Sequence, residues 1–155
     1  MVTSPRVRVL FVCVGNACRS PMAEAVARHE AHDIIEPSSA GLYPLGRLAD
    51  LTEQTLTANG YPLEGLSSKP LRSEALHNSD LLVNLSGVSL TPLFKGDSAV
   101  EPFASCGIAE NIEEWEVADP YGTTPEIYQE ILQQIQGRVR QLASRLRAVN
   151  RSAHA

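Results

Sequence analysis

The sequence predicts an α/β fold: a three-layer, doubly wound sheet of four parallel strands flanked by helices. Three observations carry that expectation. Short apolar, β-branched runs alternate with helical patterns along the chain, as in successive βαβ units. The first run, Val7 to Val12, is apolar but for Arg8, which suits a strand covered on both faces. A loop dense in reactive side chains follows it directly, at the carboxyl end of the strand, where folds of this class place their ligands.

Val7 to Val12 is expected at the centre of the sheet. Pro21 is acceptable at the start of the next helix, where its missing N–H is not needed, and Met22, Ala23, Ala25, Val26 and Ala27 carry that helix to about His32. Ile34 and Ile35 open a second strand that ends near Ser39-Ala40-Gly41. From Leu48 to Asn59 the apolar residues Leu48, Leu51, Leu56 and Ala58 lie among polar ones, and Asn59-Gly60 supplies a helix stop. A turn-rich stretch with Pro62, Gly65 and Pro70 leads to a short helix over Leu71 to Asn78. Asp80 then introduces another buried strand, Leu81 to Leu85. A fourth strand is expected around Ala99 to Phe103.

The last helix is the best marked. Thr123 and Glu126 stand at capping-box spacing, Pro125 falls in the first turn, and Ile127, Ile131, Ile135, Val139, Leu142, Leu146 and Val149 recur at helical intervals. Gly137 is a local weakness, costing about 1 kcal/mol relative to alanine in an exposed helix interior. A chain of 155 residues fits one domain. That domain is expected to span residues 1–150, with 151–155 as a disordered tail.

The loop reads Cys13-Val14-Gly15-Asn16-Ala17-Cys18-Arg19-Ser20-Pro21. After a buried strand its backbone N–H groups turn inward, and the following helix aims its positive dipole end at the same point. Such a loop is a cradle for a tetrahedral oxyanion with a thiol at its floor. An ordinary cysteine has a pKa near 8.5, so a thiolate at neutral pH needs stabilisation. The loop amides, the helix, Arg19 and the Ser20 hydroxyl all act in that direction. Arg19 suits phosphate because its planar fork holds two oxygens and its charge does not titrate away.

Composition narrows the partners. A formal charge of −5 argues against general affinity for nucleic acid, while a small anion needs only a local positive site. No apolar run approaches the roughly 20 residues of a spanning helix, and the N-terminus lacks a secretory pattern. A cytoplasmic protein with no nucleic-acid or membrane partner is expected, as a monomer or weak dimer. Cys13, Cys18 and Cys106 form no even disulfide framework, which fits a reducing compartment. His29, His32, His77 and His154 lack metal-like spacing, so no metal and no cofactor is expected.

The string Val9-Leu10-Phe11-Val12-Cys13-Val14-Gly15-Asn16-Ala17-Cys18-Arg19-Ser20-Pro21-Met22-Ala23-Glu24-Ala25 resembles the low-molecular-weight protein tyrosine phosphatases and their arsenate-reductase and arginine-phosphatase relatives. Asp119-Pro120-Tyr121 matches the second signature of that family. The resemblance implies a phosphotyrosine phosphatase I-like fold and the roles that follow. Cys13 is the nucleophile that forms a cysteinyl-phosphate, Arg19 holds the phosphate, and Asp119 is the acid for the leaving group and then the base for water. Val14, Gly15, Asn16, Ala17, Cys18 and Ser20 line the substrate site with Tyr43 and Tyr121. Asn16 tolerates left-handed backbone angles and ties the loop by side-chain hydrogen bonds, Ser39 supports it, and Cys18 is a redox partner for Cys13, as family members allow. Trp115 and Cys106 read as packing residues.

Three positions depart from the family pattern. Gly122 follows Tyr121 where eukaryotic members carry a second tyrosine, which is closer to bacterial members and takes away part of one wall for a flat aromatic substrate. Ala17 replaces the isoleucine usual in tyrosine phosphatases and the threonine of arginine phosphatases, so the phosphoresidue is left open. Leu66 stands by register where a histidine commonly supports the loop, which predicts a looser Asn16 network. The leading reading is a metal-independent phosphatase acting on a phosphorylated protein, with phosphotyrosine as the default and phosphoarginine as an alternative. Arsenate reduction is another: the segment Asn84 to Thr91 carries no resolving cysteine pair, so only an external thiol serves it. A third class is a non-catalytic phosphate-binding or redox sensor.

Overall fold

The computed structural model describes residues 6–90 and 111–153. The first strand, β1 (Val7–Cys13), is followed by α1 (Arg19–Glu30), β2 (Ile35–Gly41), α2 (Asp50–Ala58), α3 (Ser73–His77), β3 (Leu81–Asn84), β4 (Ile112–Glu114) and α4 (Pro125–Ala153). The four strands form one sheet in the order β2-β1-β3-β4, and every pairing is parallel. The expected doubly wound α/β fold is therefore the observed one.

Residues of β1 alternate between two apolar layers, as the period of a strand requires. Val9, Phe11 and Cys13 join the larger cluster with α1, α2 and α4, whereas Leu10 and Val12 join a smaller one with Leu76 of α3 and Leu90. Val9 to Val12 are wholly buried, which explains their uninterrupted apolar run. Arg8 escapes at the strand's start, where its guanidinium and backbone N–H meet the Asp80 carboxylate and the Asp80 N–H donates to the Arg8 carbonyl. This clasp sets β3 beside β1 in the register Val9↔Leu81 to Val12↔Asn84.

Chain order reverses direction between β1 and β3, so a crevice opens at the carboxyl end of β1. The register Cys13↔Gly41 and Val12↔Asn84 places the ends of three strands around it.

Several details differ from the sequence expectation. Helix α1 begins at Arg19, so Pro21 is its third residue; the N–H it lacks is still one of the four that a helix start leaves unbonded. Strand β4 is Ile112–Glu114, a three-residue edge strand with a single apolar residue. The expected strand at Ala99 to Phe103, like Cys106 and His154, lies outside the described residues. Helix α4 is capped by Thr124, whose hydroxyl accepts the Ile127 N–H at 3.3 Å, and Pro125 is the first helical residue. Thr123 instead turns its hydroxyl to the Pro120 carbonyl, so the capping box does not form. Ile131, Ile135, Val139 and Leu142 are buried, joined by Tyr128, Leu132 and Ala143, while Ile127 and Val149 at the two ends of the stripe are exposed. The helix continues through Arg151 to Ala153, past the end set at Asn150. No helix among the described residues is long and apolar enough to cross a membrane.

Candidate active site

The loop from Val14 to Cys18 bridges β1 and α1, and its shape follows from where its carbonyls go. The Cys13 carbonyl accepts the Leu42 N–H, Val14 that of Tyr43, and Gly15 both the Leu45 N–H and the Ser68 hydroxyl. The Ala17 carbonyl accepts the Ala49 N–H at 3.2 Å and the Thr52 hydroxyl at 2.7 Å, and that of Cys18 accepts the Met22 N–H. In a trans peptide the N–H of the next residue points opposite to the carbonyl. With these carbonyls turned outward, the N–H groups of Val14, Gly15, Asn16, Cys18 and Arg19 turn to the concave side.

Asn16 closes the loop from behind. It has a φ of +47°, the left-handed region that asparagine tolerates better than most residues. Its amide donates to Ser20 Oγ at 2.7 Å and to Ser39 Oγ at 3.0 Å, and its Oδ1 accepts the Lys69 N–H at 2.8 Å. Ser20 Oγ is 2.9 Å from Cys13 Sγ. Because Asn16 already donates to Ser20, the single proton of that hydroxyl is available to an ionised sulfur, which is nearer than its other acceptor, the Ala40 carbonyl at 3.5 Å.

The side chains of Asn16 and Ser20, residues grouped with the substrate-lining ones on sequence, are fully buried and lie outside the cavity lining. They tie the loop and contact the sulfur from behind. Nor is the Asn16 network loosened by Leu66, which packs at the edge of the core: every polar atom of the Asn16 side chain has a partner.

A cavity of about 300 Å³ lies over the loop, lined by Cys13, Val14, Gly15, Ala17, Cys18, Arg19, Tyr43, Leu45, Asp119 and Tyr121. Cys13, Arg19 and Asp119, separated by up to 106 positions in the chain, thus face one space. Arg19 is 5% exposed, and its Nη1 donates to the carbonyls of Leu85 at 2.7 Å and Val117 at 3.2 Å. Its Nη2 lies 3.6 Å from Asp119 Oδ2, and its Nε is buried without an acceptor. Two backbone carbonyls therefore fix one corner of the guanidinium, while Nε has no acceptor. Asp119 accepts the Tyr121 N–H at 3.1 Å, which folds the Asp-Pro-Tyr turn just before α4.

Tyr43 and Tyr121 are 77% and 60% exposed and flank the mouth. Cys18 shares the cavity, with Sγ 3.4 Å from the Tyr128 hydroxyl. Burial pushes its thiol pKa up, against hydrogen bonds with Thr52 and Tyr128 that pull the other way. Burial likewise raises that of Tyr128. Trp115 is buried against Phe11, with ring centroids 5.7 Å apart, and its indole N–H donates to Glu113, as a packing residue should. No group of His, Cys, Asp and Glu among the described residues could hold a metal ion.

Sequence reasoning missed four contributors. Leu45 is part of the wall, but nothing periodic marks it. Gly41 lies against the loop so closely that a Cβ there would be 2.8 Å from the Val14 carbonyl oxygen and 2.9 Å from Asn16 N and Cβ; the Ser-Ala-Gly string drew attention only to its serine. Ser68 and Lys69 strap the loop from a turn-rich segment without a motif.

Fold and loop together define a doubly wound α/β protein with a thiol-floored oxyanion pocket at its switch point. The family model for low molecular weight phosphotyrosine protein phosphatases matches residues 8–152, and the chain belongs to that family. A low molecular weight protein-tyrosine-phosphatase, PtpA of Staphylococcus aureus, is 35% identical over 130 residues, covering 76% of this chain and 80% of its own. The glutaredoxin arsenate reductase of Synechocystis is 27% identical over 141 residues, covering 90% and 98%. Among solved structures, the YwlE arginine phosphatase of Geobacillus stearothermophilus superposes with a TM-score of 0.79 at 24% identity, covering 96% of this chain and 98% of that one. That likeness is one of fold. The family is one of cysteine-based phosphatases, which bind phosphate and act on phosphorylated substrates.

Proposed function

We propose that this protein hydrolyses a phosphorylated protein side chain, phosphotyrosine in the first instance, through a cysteinyl-phosphate intermediate and without a metal. The observation that carries the reading is the buried, unpartnered Nε of Arg19 in the cavity floored by Cys13. A buried donor left without an acceptor costs about 1–3 kcal/mol, and a phosphate oxygen relieves that cost.

The geometry supports the following roles. The Cys13 thiolate attacks phosphorus; the S–P bond forms as the bond from phosphorus to the tyrosyl oxygen breaks, and Asp119 gives its proton to that oxygen. The inward N–H groups and Arg19 hold the equatorial oxygens, supplying the positive field where charge builds up. A water molecule then attacks phosphorus, Asp119 takes its proton, and the S–P bond breaks to release inorganic phosphate and the thiolate. Ser20 steadies the sulfur at both ends of this cycle.

Two exposed tyrosines at the mouth favour a flat aromatic substrate, since aromatic pairs gain about 0.5–1.5 kcal/mol beyond their buried area. The 35% identical relative, itself named a tyrosine phosphatase, supports the same choice. A nucleophile that must stay reduced fits the cytoplasm. One subunit supplies every residue of the site, which fits a monomer or weak dimer.

The test is phosphate release from a phosphotyrosine peptide in excess EDTA, with Cys13→Ser as the comparison. Release by the native protein that disappears in the variant is the expected result. Release lost on adding EDTA, or kept by Cys13→Ser, would overturn the proposal. Phosphoarginine peptide and arsenate with glutathione, run in parallel, report on the two other oxyanion chemistries; turnover of either in place of the phosphotyrosine peptide would reassign the substrate.

A further inference from the structure

Glu24 takes no part in the chemistry above, yet it is the buried carboxylate among the described residues, at 3% exposure on α1 beneath the loop. Each of its oxygens has a dedicated partner. Oε1 accepts the Ser39 hydroxyl at 2.5 Å, and Oε2 accepts Nη2 of Arg28, one turn further along α1. Arg28 is itself held by the Glu64 carbonyl, to which Nη1 donates at 2.7 Å, and it lies against Gly65, where a Cβ would approach Nη1 to 3.1 Å.

These bonds have a direction. Ser39 has one hydroxyl proton and spends it on Glu24, so toward Asn16 its oxygen serves only as an acceptor. The Asn16 amide therefore finds two fixed acceptors, Ser39 and Ser20, and the Ser20 proton goes to the nearer of its two acceptors, the Cys13 sulfur at 2.9 Å, over the Ala40 carbonyl at 3.5 Å. A neutral group at position 24 would free the Ser39 hydroxyl to rotate, and the left-handed Asn16 would lose a fixed partner.

We infer that Glu24, paired with Arg28, is a positioning residue for the oxyanion loop: its carboxylate sets the direction of the hydrogen-bond chain through Ser39, Asn16 and Ser20 that ends on the Cys13 sulfur. The inference rests on the phosphatase reading of the same loop. It explains how the Asn16 network is complete although position 66 is leucine. The supporting cation, Arg28, comes from α1 itself.

The test uses Glu24→Gln, Arg28→Met, Arg28→Lys, Ser39→Ala and the Glu24→Gln/Ser39→Ala pair. Val139→Ala, in the core under α4, serves as a control for stability loss alone. Turnover of the phosphotyrosine peptide and binding of tungstate, a tetrahedral oxyanion needing no turnover, are both read. Glu24→Gln and Arg28→Met are expected to lower kcat by about 10–100-fold and to weaken tungstate by about tenfold, with KM changed by less than about threefold, because supporting partners act through the geometry of the groups they hold. Arg28→Lys should recover to within about threefold of native, and the Glu24→Gln/Ser39→Ala pair should be no worse than its worse member, as members of one chain are not additive.

The inference is overturned if both single variants keep kcat and tungstate affinity within about twofold of native, if the pair is additive, or if Val139→Ala reproduces the losses at equal melting temperature. A native protein that binds tungstate but releases no phosphate would sink the phosphatase reading while leaving the tungstate series to decide this one. One that binds no tungstate would end both. Should Glu24→Gln fail to fold, Arg28→Met, altered at a partly exposed side chain, carries the same comparison.

Discussion

Gly41→Ala adds one methyl group at the end of β2, where the strand lies against the back of the oxyanion loop. The backbone of Gly41 is not in the left-handed region, so alanine can adopt it, and the effect is one of space alone. The new Cβ would meet the Val14 carbonyl oxygen at 2.8 Å and Asn16 N and Cβ at 2.9 Å, about half an ångström inside ordinary contact, and two of the three atoms are backbone. Gly41 has little room to retreat, because its N–H donates to Lys69 and its carbonyl accepts the Leu71 N–H. The loop must therefore move. Overpacking of this kind costs about 1–3 kcal/mol of stability, while catalytic groups must be held within about 0.5 Å and a displacement of an ångström costs about 100-fold in rate. The expectation is a kcat about 10–100-fold lower, a weaker hold on tungstate, and a melting temperature about 3–10 °C lower. Steady-state turnover of a phosphotyrosine peptide at a temperature where both proteins are folded, with thermal melts alongside, makes the measurement. A variant with kcat within twofold of native would show that the loop tolerates the shift and that its shape does not depend on the bare backbone at position 41.

Asp119→Asn should lower kcat for a phosphotyrosine peptide by about 100-fold or more, because a phenol with a pKa near 10 leaves poorly without a proton. The loss should shrink with an aryl phosphate whose leaving group needs none; equal losses on both substrates would remove Asp119 from the acid's role. Gly137→Ala, on an exposed turn of α4 where a Cβ meets nothing within 4 Å, should gain about 1 kcal/mol and raise the melting temperature by about 2–4 °C with activity unchanged. No rise in the melting temperature would mean that the helix is not continuous there. Cys18, whose thiol pKa burial pushes up, stays protonated at pH 7, so in Cys13→Ser it should resist iodoacetamide in peptide-resolved mass spectrometry while the native protein is labelled at Cys13. Rapid labelling of Cys18 would contradict its enclosure beside Tyr128.

What the sequence made legible is what local chemistry imposes. The apolar run of β1 has to be central because a strand buried on both faces has no polar side to offer, and the groups following it have to serve a site because nothing in packing calls for them. Cys13, Arg19 and Asp119 line one cavity, the convergence that the resemblance implied. Strand β4 was not legible: its three residues carry two glutamates, and it pairs with β3 through backbone groups that any side chain permits. The cap of α4 was misplaced by one residue because Thr123 and Thr124 are both competent caps, and the choice depends on the Asp119-Pro120 turn that claims Thr123. Nothing in the sequence marked Glu24, since its partners Ser39 and Arg28 lie fifteen and four positions away. Asn16 has the left-handed backbone expected of it, which turns its side chain to the rear, where it ties the loop.

The same segment builds the floor of the site and its mouth. The N–H groups of Tyr43 and Leu45 take the carbonyls of Val14 and Gly15 and so turn the loop amides inward, while the Tyr43 and Leu45 side chains form part of the cavity wall. Those two contributions separate cleanly, because a side chain at 43 or 45 can change without altering the backbone N–H beneath it. Substrate preference is thus free to vary at these positions as long as residues remain that keep the donor. A proline at either one removes it and leaves a loop carbonyl without its partner, which disturbs the anion cradle along with the wall. The opposite wall behaves differently: Tyr121 stands on a turn tied to Asp119, so changes there reach the acid before they reach the phosphate loop. Altered leaving-group dependence is the signature of change on the Tyr121 side, and altered oxyanion affinity that of backbone change on the Tyr43 side.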